Sequence, residues 1–387
     1  MGRPIFEVRK EDDETDARIG ELTINGISIK TPVLWLGTLV KSKPRPWKSF
    51  ALSNIMINAY DIVSCGKNDM EKVFKSGIHN YLDFNRGLIM MDSGGFQLLM
   101  RKKKLLDVEK LILLYKKAKP DIGVVLDYPL NPSASPSENR KRWEKTLKNL
   151  EFMMNNDLNV FLMPVVHGLT VSEIRNACRD VRKLLGDDPK LVGIGSLVPL
   201  IRSMNTRNVT KRNRKSPKNL IIDVIRTVRS VFPDSFLHVF GVGSVTTMHL
   251  MFCAGADSVD SMGWRLKAAY GAIQLPGVGD RFVTNKGNGI ARKVLNHSEL
   301  EILSKCECPV CNRKPLRERL KQLDNKRKGN FVNRAIHNAW TFIREEEEFR
   351  EALQKGFARE FTEVRLKNSP FVKTFEYYLE TRGLKKL

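Results

Sequence analysis

The sequence predicts an α/β protein built on a (β/α)₈ TIM barrel, and two observations lead to this class. Short apolar runs typical of buried strands recur eight times along the chain, beginning with "PVLWLG" at residue 32. Helix-compatible segments lie between most of them, which is the pattern of a parallel sheet covered on both faces. Eight such units close a barrel. An open doubly wound sheet is the alternative, although no G-x-G-x-x-G motif follows the first strand.

The elements follow one another in a regular order. An N-terminal hairpin is predicted in "ELTINGISIKT", with its turn at Asn25-Gly26. The eight barrel strands are predicted in "PVLWLG", "NIMINA", "LIMMDSG", "IGVVLDYP", "VFLMPVVHG", "LVGIGSL", "FLHVFGVG" and "ADSVDS". Helices are predicted in "DVEKLILLYKKAK", "SENRKRWEKTLKNLEFMM", "TVSEIRNACRDVRKLL" and "NLIIDVIRTVRSVF".

The charge balance indicates a polyanionic partner. Lys and Arg number 66 against 43 Asp and Glu, which gives a formal net charge of +23. A cationic run at residues 207–218 follows the sixth strand and is expected to be disordered without nucleic acid; its candidate phosphate contacts are Arg207, Lys211, Arg212, Arg214 and Lys215. A basic protein with no nucleic-acid role is the alternative. The absence of a long apolar run and of a signal peptide predicts a cytoplasmic protein with no membrane contact.

Polar residues follow the barrel strands where each strand ends. The third, fourth and eighth strands are followed by or end in Asp92, Asp127 and Asp260. The fifth strand ends at His167 and the sixth at Gly195-Ser196. Carboxyl ends of barrel strands share one mouth, so these groups are expected to meet there. Any one Asp could instead be a helix N-cap. Two carboxylates at one site are what glycosidic-bond chemistry requires, one as nucleophile and one as proton carrier.

A cysteine group predicts a metal site. "CECPVCNRK" places Cys306, Cys308 and Cys311 in C-x-C-x-x-C spacing, and His337 follows after 25 intervening residues. Three thiolates and one imidazole fill a tetrahedral Zn²⁺ shell, so the zinc would be structural. Three free thiols are the alternative. We therefore expect residues 1–295 to form the barrel and residues 296–387 to form a basic, zinc-binding helical subdomain.

Taken together, "DSGGFQ", "FGVGS" before Asp260, and the C-x-C-x-x-C with its distant His resemble the tRNA-guanine transglycosylase superfamily. Its members exchange a guanine in nucleic acid for a 7-deazaguanine. The resemblance implies that Asp260 is the nucleophile at C1′ and Asp92 the general acid/base. It also implies the base-binding residues, which are Phe96 for stacking, Asp127 for the purine edge, and Gly195, Ser196 and Leu197 for the pocket wall. Core packing is the alternative for Phe96.

Two departures bear on the substrate. His167 stands where the tRNA enzymes have a Gln that contacts the base, and it is expected to take over that contact. The segment "SMGWRLKAAYGAIQLPGVGDRFV", with Arg265 as a possible strand contact, is similar to the phage and bacterial branch that modifies DNA. The resemblance thus implies that 7-cyano-7-deazaguanine (preQ0) or a relative is inserted into a nucleic acid, with DNA preferred over tRNA as the substrate. A tRNA enzyme and a non-catalytic zinc-containing binding subunit are the alternatives. The sequence predicts no oligomeric state.

Overall fold

Eight parallel strands close into a barrel, preceded by a small antiparallel sheet. The computed structural model describes residues 4–95, 106–202, 204, 206–285 and 292–384. Its strands are β1 Ile5–Glu11, β2 Arg18–Ile24, β3 Ile27–Thr31, β4 Val33–Gly37, β5 Asn54–Asn58, β6 Leu88–Asp92, β7 Ile122–Val124, β8 Phe161–Met163, β9 Val165–Val166, β10 Leu191–Ile194, β11 Phe236–Val239, β12 Ser258–Ser261, β13 Ile273–Leu275 and β14 Val278–Arg281. The TIM-barrel prediction is confirmed.

Closure of the barrel depends on the fifth strand, which Pro164 divides into β8 and β9. Proline has no backbone N–H to give to a ladder. β8 pairs with β7 on one side, and β9 pairs with β10 on the other. The Pro164 carbonyl still accepts a hydrogen bond from the Gly193 amide at 2.9 Å. Since β12 pairs with β4, the ring of eight strands is complete.

Side chains alternate between the two faces of each barrel strand. In β6, Met90 belongs to the cluster inside the barrel, whereas Ile89 and Met91 belong to the cluster under the outer helices. This period of two is the strand geometry. Leu22 and Ile24 of β2 pack in the inner cluster. The N-terminal sheet therefore covers the end of the barrel opposite the strand carboxyl ends.

The N-terminal sheet has one strand more than the sequence predicts. β2 and β3 form the predicted hairpin, with Asn25 and Gly26 both at positive φ. β1 adds antiparallel to β2. Its residues are mostly exposed, so that "IFEVRKE" has little of the apolar pattern that marks a strand.

The helices surround the barrel and continue beyond it. They are Ala59–Ser64, Lys67–Leu82, Val108–Ala118, Pro136–Met154, Val171–Leu185, Val198–Ile201, Arg207–Asn213, Pro217–Val231, Met248–Cys253, Gly263–Ala269, His297–Ser304, Leu316–Leu323, Phe331–Gln354, Ala358–Leu366 and Val372–Thr381. All four predicted helices are present. Within the part of the chain that the structure describes, no helix has the length and apolar character needed to cross a bilayer.

The C-terminal helices are joined to the barrel by buried polar contacts. Glu346 accepts a hydrogen bond from the Leu34 amide of β4 at 2.7 Å. The Tyr378 hydroxyl donates to the Cys253 carbonyl at 2.6 Å. β13 precedes residue 296 yet packs on the helix Phe331–Gln354. A domain boundary at residue 295 remains a proposal.

Candidate active site

Three carboxylates meet at the carboxyl ends of the barrel strands. Asp92 ends β6, Asp127 follows β7, and Asp260 lies in β12. Burial, together with the nearby negative charges of Asp127 and Asp260, raises the pKa of Asp92 to about 7. Asp127 is 7% and Asp260 is 5% exposed. The clustering predicted from the strand ends is therefore present, and Asp92 is the carboxyl that holds a proton near neutral pH.

Asn58 is a neighbour of Asp92 that sequence reasoning missed. Its Nδ2 donates to Asp92 Oδ2 at 2.6 Å, and its Oδ1 accepts from the Tyr60 amide at 2.8 Å. Gly94 has φ of 91°, and a Cβ there would lie 3.1 Å from Asn58 Oδ1. A glycine is needed at this turn. The available signal was an amide side chain at the end of the apolar run "NIMIN".

Asp127 is surrounded by groups from the ends of two other strands, β6 and β9. Ser93 Oγ donates to its Oδ1 at 3.3 Å, and His167 Nε2 lies 3.1 Å from its Oδ2. A Cβ on Gly95 would lie 2.1 Å from Asp127 Oδ1. The two glycines of "DSGG" thus have separate reasons: Gly94 permits a positive φ, and Gly95 permits a close approach to the second carboxylate.

His167 is packed against protein groups on both nitrogens. Its Nδ1 is 2.8 Å from Ser196 Oγ, and its side chain has no exposed area. Ser196 has φ of 67°, and its Oγ accepts from the Leu130 amide at 2.8 Å. A Cβ on Gly195 would lie 2.4 Å from His167 Cε1, so this glycine makes room for the ring. A direct contact between His167 and a base stays a prediction, because in this structure the ring contacts Asp127 instead.

Asp260 is held by the loop after β11. The Gly241 amide donates to Asp260 Oδ1 at 2.6 Å, and the Gly243 amide donates to the Asp260 carbonyl at 2.9 Å. His238 Nε2 lies 3.4 Å from the same Oδ1. His238 shows no ligand spacing in the sequence, which favours a structural role, yet it lies beside the predicted nucleophile.

The N-cap alternative fails for two of the carboxylates. The helix after Asp127 is Pro136–Met154, and Ser135 caps it with a complete capping box. The helix after Asp260, Gly263–Ala269, has Met262 at its N-cap.

Leu197 is fully buried next to Ser196. Phe96 lies outside the described residues.

The Cys and His residues of the predicted metal site come together. The ligand atoms of Cys306, Cys308, Cys311 and His337 all lie within 4.8 Å of one another. His337 Nδ1 is 3.6, 3.4 and 3.8 Å from the three Sγ atoms in that order. Bonds of about 2.3 Å to sulfur and about 2.0 Å to nitrogen give a tetrahedral S–N edge of about 3.5 Å.

The set therefore fits a closed four-ligand metal shell. His337 Nε2 lies 3.0 Å from the Gln274 carbonyl, which sets the ring so that Nδ1 faces the thiols. Such a shell has no open position for a substrate, so a metal there would be structural. That the metal is zinc remains a proposal.

The basic run forms a helix, which corrects the expectation of a disordered loop. Residues Arg207–Asn213 are helical, and Asn213 Nδ2 donates to the Leu169 carbonyl at 2.8 Å. Leu169 follows the fifth strand, so the helix lies on the mouth side. Two of the predicted phosphate contacts have acidic partners: Arg212 pairs with Glu173, and Lys215 pairs with Asp223.

Three of the predicted phosphate contacts have no acidic partner among the described residues: Arg207, Lys211 and Arg214. Arg265 donates to the Lys43 carbonyl at 2.6 Å and lies over the Phe331 ring. Trp264 is fully buried and donates to the Gly37 carbonyl, so it is a packing residue.

Comparisons with known proteins agree with this site. A family model described as queuine tRNA-ribosyltransferase matches residues 12–370. The chain is 28% identical over 384 residues to the tRNA-guanine(15) transglycosylase of Pyrococcus furiosus, which covers 96% of this chain and 59% of that protein. It is 27% identical over 366 residues to the protein of the same name from Methanopyrus kandleri, covering 92% of this chain and 71% of that one.

The chain spans about three fifths of the length of the Pyrococcus protein. The match to the family model includes all eight barrel strands, the three carboxylates and the Cys–His cluster. On this match, the chain belongs to the queuine tRNA-ribosyltransferase family.

Proposed function

We propose that this chain is a pentosyltransferase that replaces guanine in a nucleic acid with a 7-deazaguanine. The observation that carries the proposal is the meeting of three carboxylates at one barrel mouth, with the pKa of Asp92 raised to about 7. Cleaving and remaking a glycosidic bond needs one ionised carboxylate and one that exchanges a proton at neutral pH. Asp260 and Asp92 fill these two roles.

In the first half-reaction Asp260 attacks C1′ of a nucleoside turned out of its stack. Gly241 holds Oδ1, so Oδ2 is the oxygen available for attack. The bond from C1′ to N9 breaks through an oxocarbenium-like transition state, and guanine leaves with the proton of Asp92. The sugar is then an ester of Asp260. Turning the nucleoside out costs a few kcal/mol, which cationic contacts to phosphates offset.

In the second half-reaction the incoming base restores the nucleoside. The Asp92 carboxylate takes the N9 proton, N9 attacks C1′, and Asp260 is released. Asp127 accepts hydrogen bonds from the purine edge in both halves, as the resemblance implies. Phe96 is proposed as the stacking surface. A structural zinc in the Cys–His cluster would hold β13 and the helix Phe331–Gln354 together.

Transfer RNA is the polymer that the comparisons favour. The relatives named above are called tRNA-guanine(15) transglycosylases. Duplex DNA is the second candidate. It is favoured by the segment after Asp260, which is similar to the DNA-modifying branch. A preQ0-like base fits either polymer, and a cytoplasmic place of action is part of the same proposal.

A labelling experiment tests the reaction and identifies the polymer. Purified protein receives labelled guanine with either bulk tRNA or duplex DNA, and the label in each polymer is counted. We expect label in tRNA; label in DNA alone would make DNA the substrate without changing the chemistry. Asp260→Asn should abolish both the label and a covalent adduct on a denaturing gel. No label in either polymer with the unaltered protein would refute the proposal.

A further inference from the structure

We propose that two buried histidines act as positioning residues at this site, His167 for Asp127 and His238 for Asp260. Each ring presents Nε2 to a carboxylate and has its Nδ1 beside a serine hydroxyl. The inference rests on the proposed function, because it assigns how the base-reading and the attacking carboxylates are held. It adds two residues whose effects on the reaction should differ from one another.

The same arrangement occurs twice around the barrel. His167 Nδ1 lies 2.8 Å from Ser196 Oγ, and its Nε2 lies 3.1 Å from Asp127 Oδ2. His238 Nδ1 lies 2.7 Å from Ser258 Oγ, and its Nε2 lies 3.4 Å from Asp260 Oδ1. Both imidazole side chains have no exposed area.

The serine contacts select the tautomer. Ser196 Oγ already accepts a hydrogen bond from the Leu130 amide, and we assign its hydroxyl as the donor to His167 Nδ1, which lies 2.8 Å away. A neutral imidazole that accepts at Nδ1 carries its proton on Nε2. In that tautomer the His167 proton is on Nε2, which lies 3.1 Å from Asp127 Oδ2. We assign the same tautomer to His238, because its Nδ1 lies 2.7 Å from Ser258 Oγ.

No other group among the described residues is a hydrogen-bond partner of either Nε2 atom. Both atoms are buried, and neither forms a hydrogen bond of good geometry within the protein. A site carboxylate oxygen lies 3.1 Å from Nε2 of His167 and 3.4 Å from Nε2 of His238. A buried polar atom without a partner is costly and rare in native proteins. The carboxylates, which must bind a base or attack a sugar, are therefore the groups these donors serve.

Close packing holds both rings in place. Phe240 meets the His238 ring edge-on at 4.4 Å between centroids, and Trp143 meets the His167 ring at 6.2 Å. A Cβ on Gly195 would collide with His167, so the backbone is also shaped around the ring. Rings held this way keep their Nε2 atoms beside the carboxylates without reorganisation during the reaction.

Asp92 is treated differently from the other two carboxylates. Its side-chain donor is the Asn58 amide, and burial among two other negative charges raises its pKa to about 7. No imidazole faces it among the described contacts. The two histidine donors thus stabilise negative charge on Asp127 and Asp260 and leave Asp92 as the group that exchanges the proton.

The test compares His238→Met and His167→Met with the unaltered protein, using tRNA and DNA in parallel. His238→Met should slow covalent adduct formation at saturating polymer by about tenfold to a hundredfold, since a donor to a charged group is lost. The KM for the free base should stay unchanged. His167→Met should raise that KM by about tenfold and leave the saturated rate nearly unchanged. Gln at either position supplies an N–H near the place of Nε2 and should restore most of the loss.

His249→Met is the matched control. This ring is also fully buried, and its Nε2 lies 2.8 Å from Oε2 of Glu345, which is not one of the three site carboxylates. Its loss should lower the melting temperature and leave both kinetic values per folded molecule unchanged. If His238→Met does not fold, Ser258→Ala tests the same positioning role, because it removes the hydroxyl beside His238 Nδ1. Adduct formation should again slow.

Distinct results overturn the two proposals. If the unaltered protein is active but the histidine variants change only the melting temperature, as His249→Met does, the positioning roles are wrong. Equal losses in the Met and Gln variants would also overturn them. If the unaltered protein forms no adduct and incorporates no label, the proposed function itself is wrong.

Discussion

Asp92→Asn should make the folded protein more stable at slightly alkaline pH, although it removes a carboxyl from the active site. Burial, with the charges of Asp127 and Asp260, raises the pKa of Asp92 from 3.8 to about 7. In the unfolded chain that carboxyl returns to its ordinary value. Between these two pKa values the folded state binds a proton that the unfolded state lacks, so stability falls as pH rises through this range. Above about pH 7 the loss is complete.

The size of the effect follows from the shift. About three pKa units at about 1.4 kcal/mol each give an upper bound of about 4 kcal/mol. The residue is partly exposed at the mouth, where solvent screens the neighbouring charges, so we expect about 2 kcal/mol. An asparagine carries no charge, and its carbonyl can still accept from Asn58 Nδ2. The stabilisation by Asp92→Asn should therefore grow from about pH 4 to about pH 7 and then level off.

Denaturant unfolding across this pH range measures the effect, with zinc present at constant concentration. Asp157→Asn, at an exposed position, is the control and should not change stability with pH in this way. The Asp92→Asn variant should also fail to release guanine, because its amide has no acidic proton to donate to the leaving base. If Asp92→Asn gains no stability between about pH 4 and about pH 7, the raised pKa and the assignment of Asp92 as proton carrier are both refuted.

Three other predictions concern the Cys–His cluster, the basic helix Arg207–Asn213 and the glycine beside His167. Cys308→Ser should remove most of the metal proposed to bind the Cys–His cluster and lower the melting temperature, as a chelator should in the unaltered protein, and metal analysis checks this. Lys211→Ala should reduce the slope of log affinity for the nucleic acid against log salt concentration by about 0.9. Lys215→Ala should leave this slope unchanged, because Asp223 already pairs with that ammonium. Gly195→Ala should cost about 1–3 kcal/mol of stability, since its Cβ would meet an imidazole at 2.4 Å, whereas Gly329→Ala, with open space, should cost much less.

The barrel could be predicted from the sequence because its strands are short apolar runs separated by helices of clear amphipathic pattern. β6 shows why: "LIMM" is buried on both faces, and the polar Asp92 marks its end. The division of the fifth strand at Pro164 could not be predicted, because it depends on which neighbour each half pairs with. The helix Arg207–Asn213 was not predicted, because Val209 is its one buried apolar residue and the segment therefore shows no apolar face.

The side-chain partners in the site were missed for a related reason, since each contact joins neighbouring strands of the barrel. Asn58 and Asp92 are register partners in β5 and β6, and His238 and Ser258 are register partners in β11 and β12. In each pair the residues are separated by a helix in sequence but lie side by side in space. Sequence periodicity gives the face of a residue but not its register against the next strand. Once the barrel order and register are known, the amide beside the proton carrier and the imidazole beside the nucleophile both follow from the sequence.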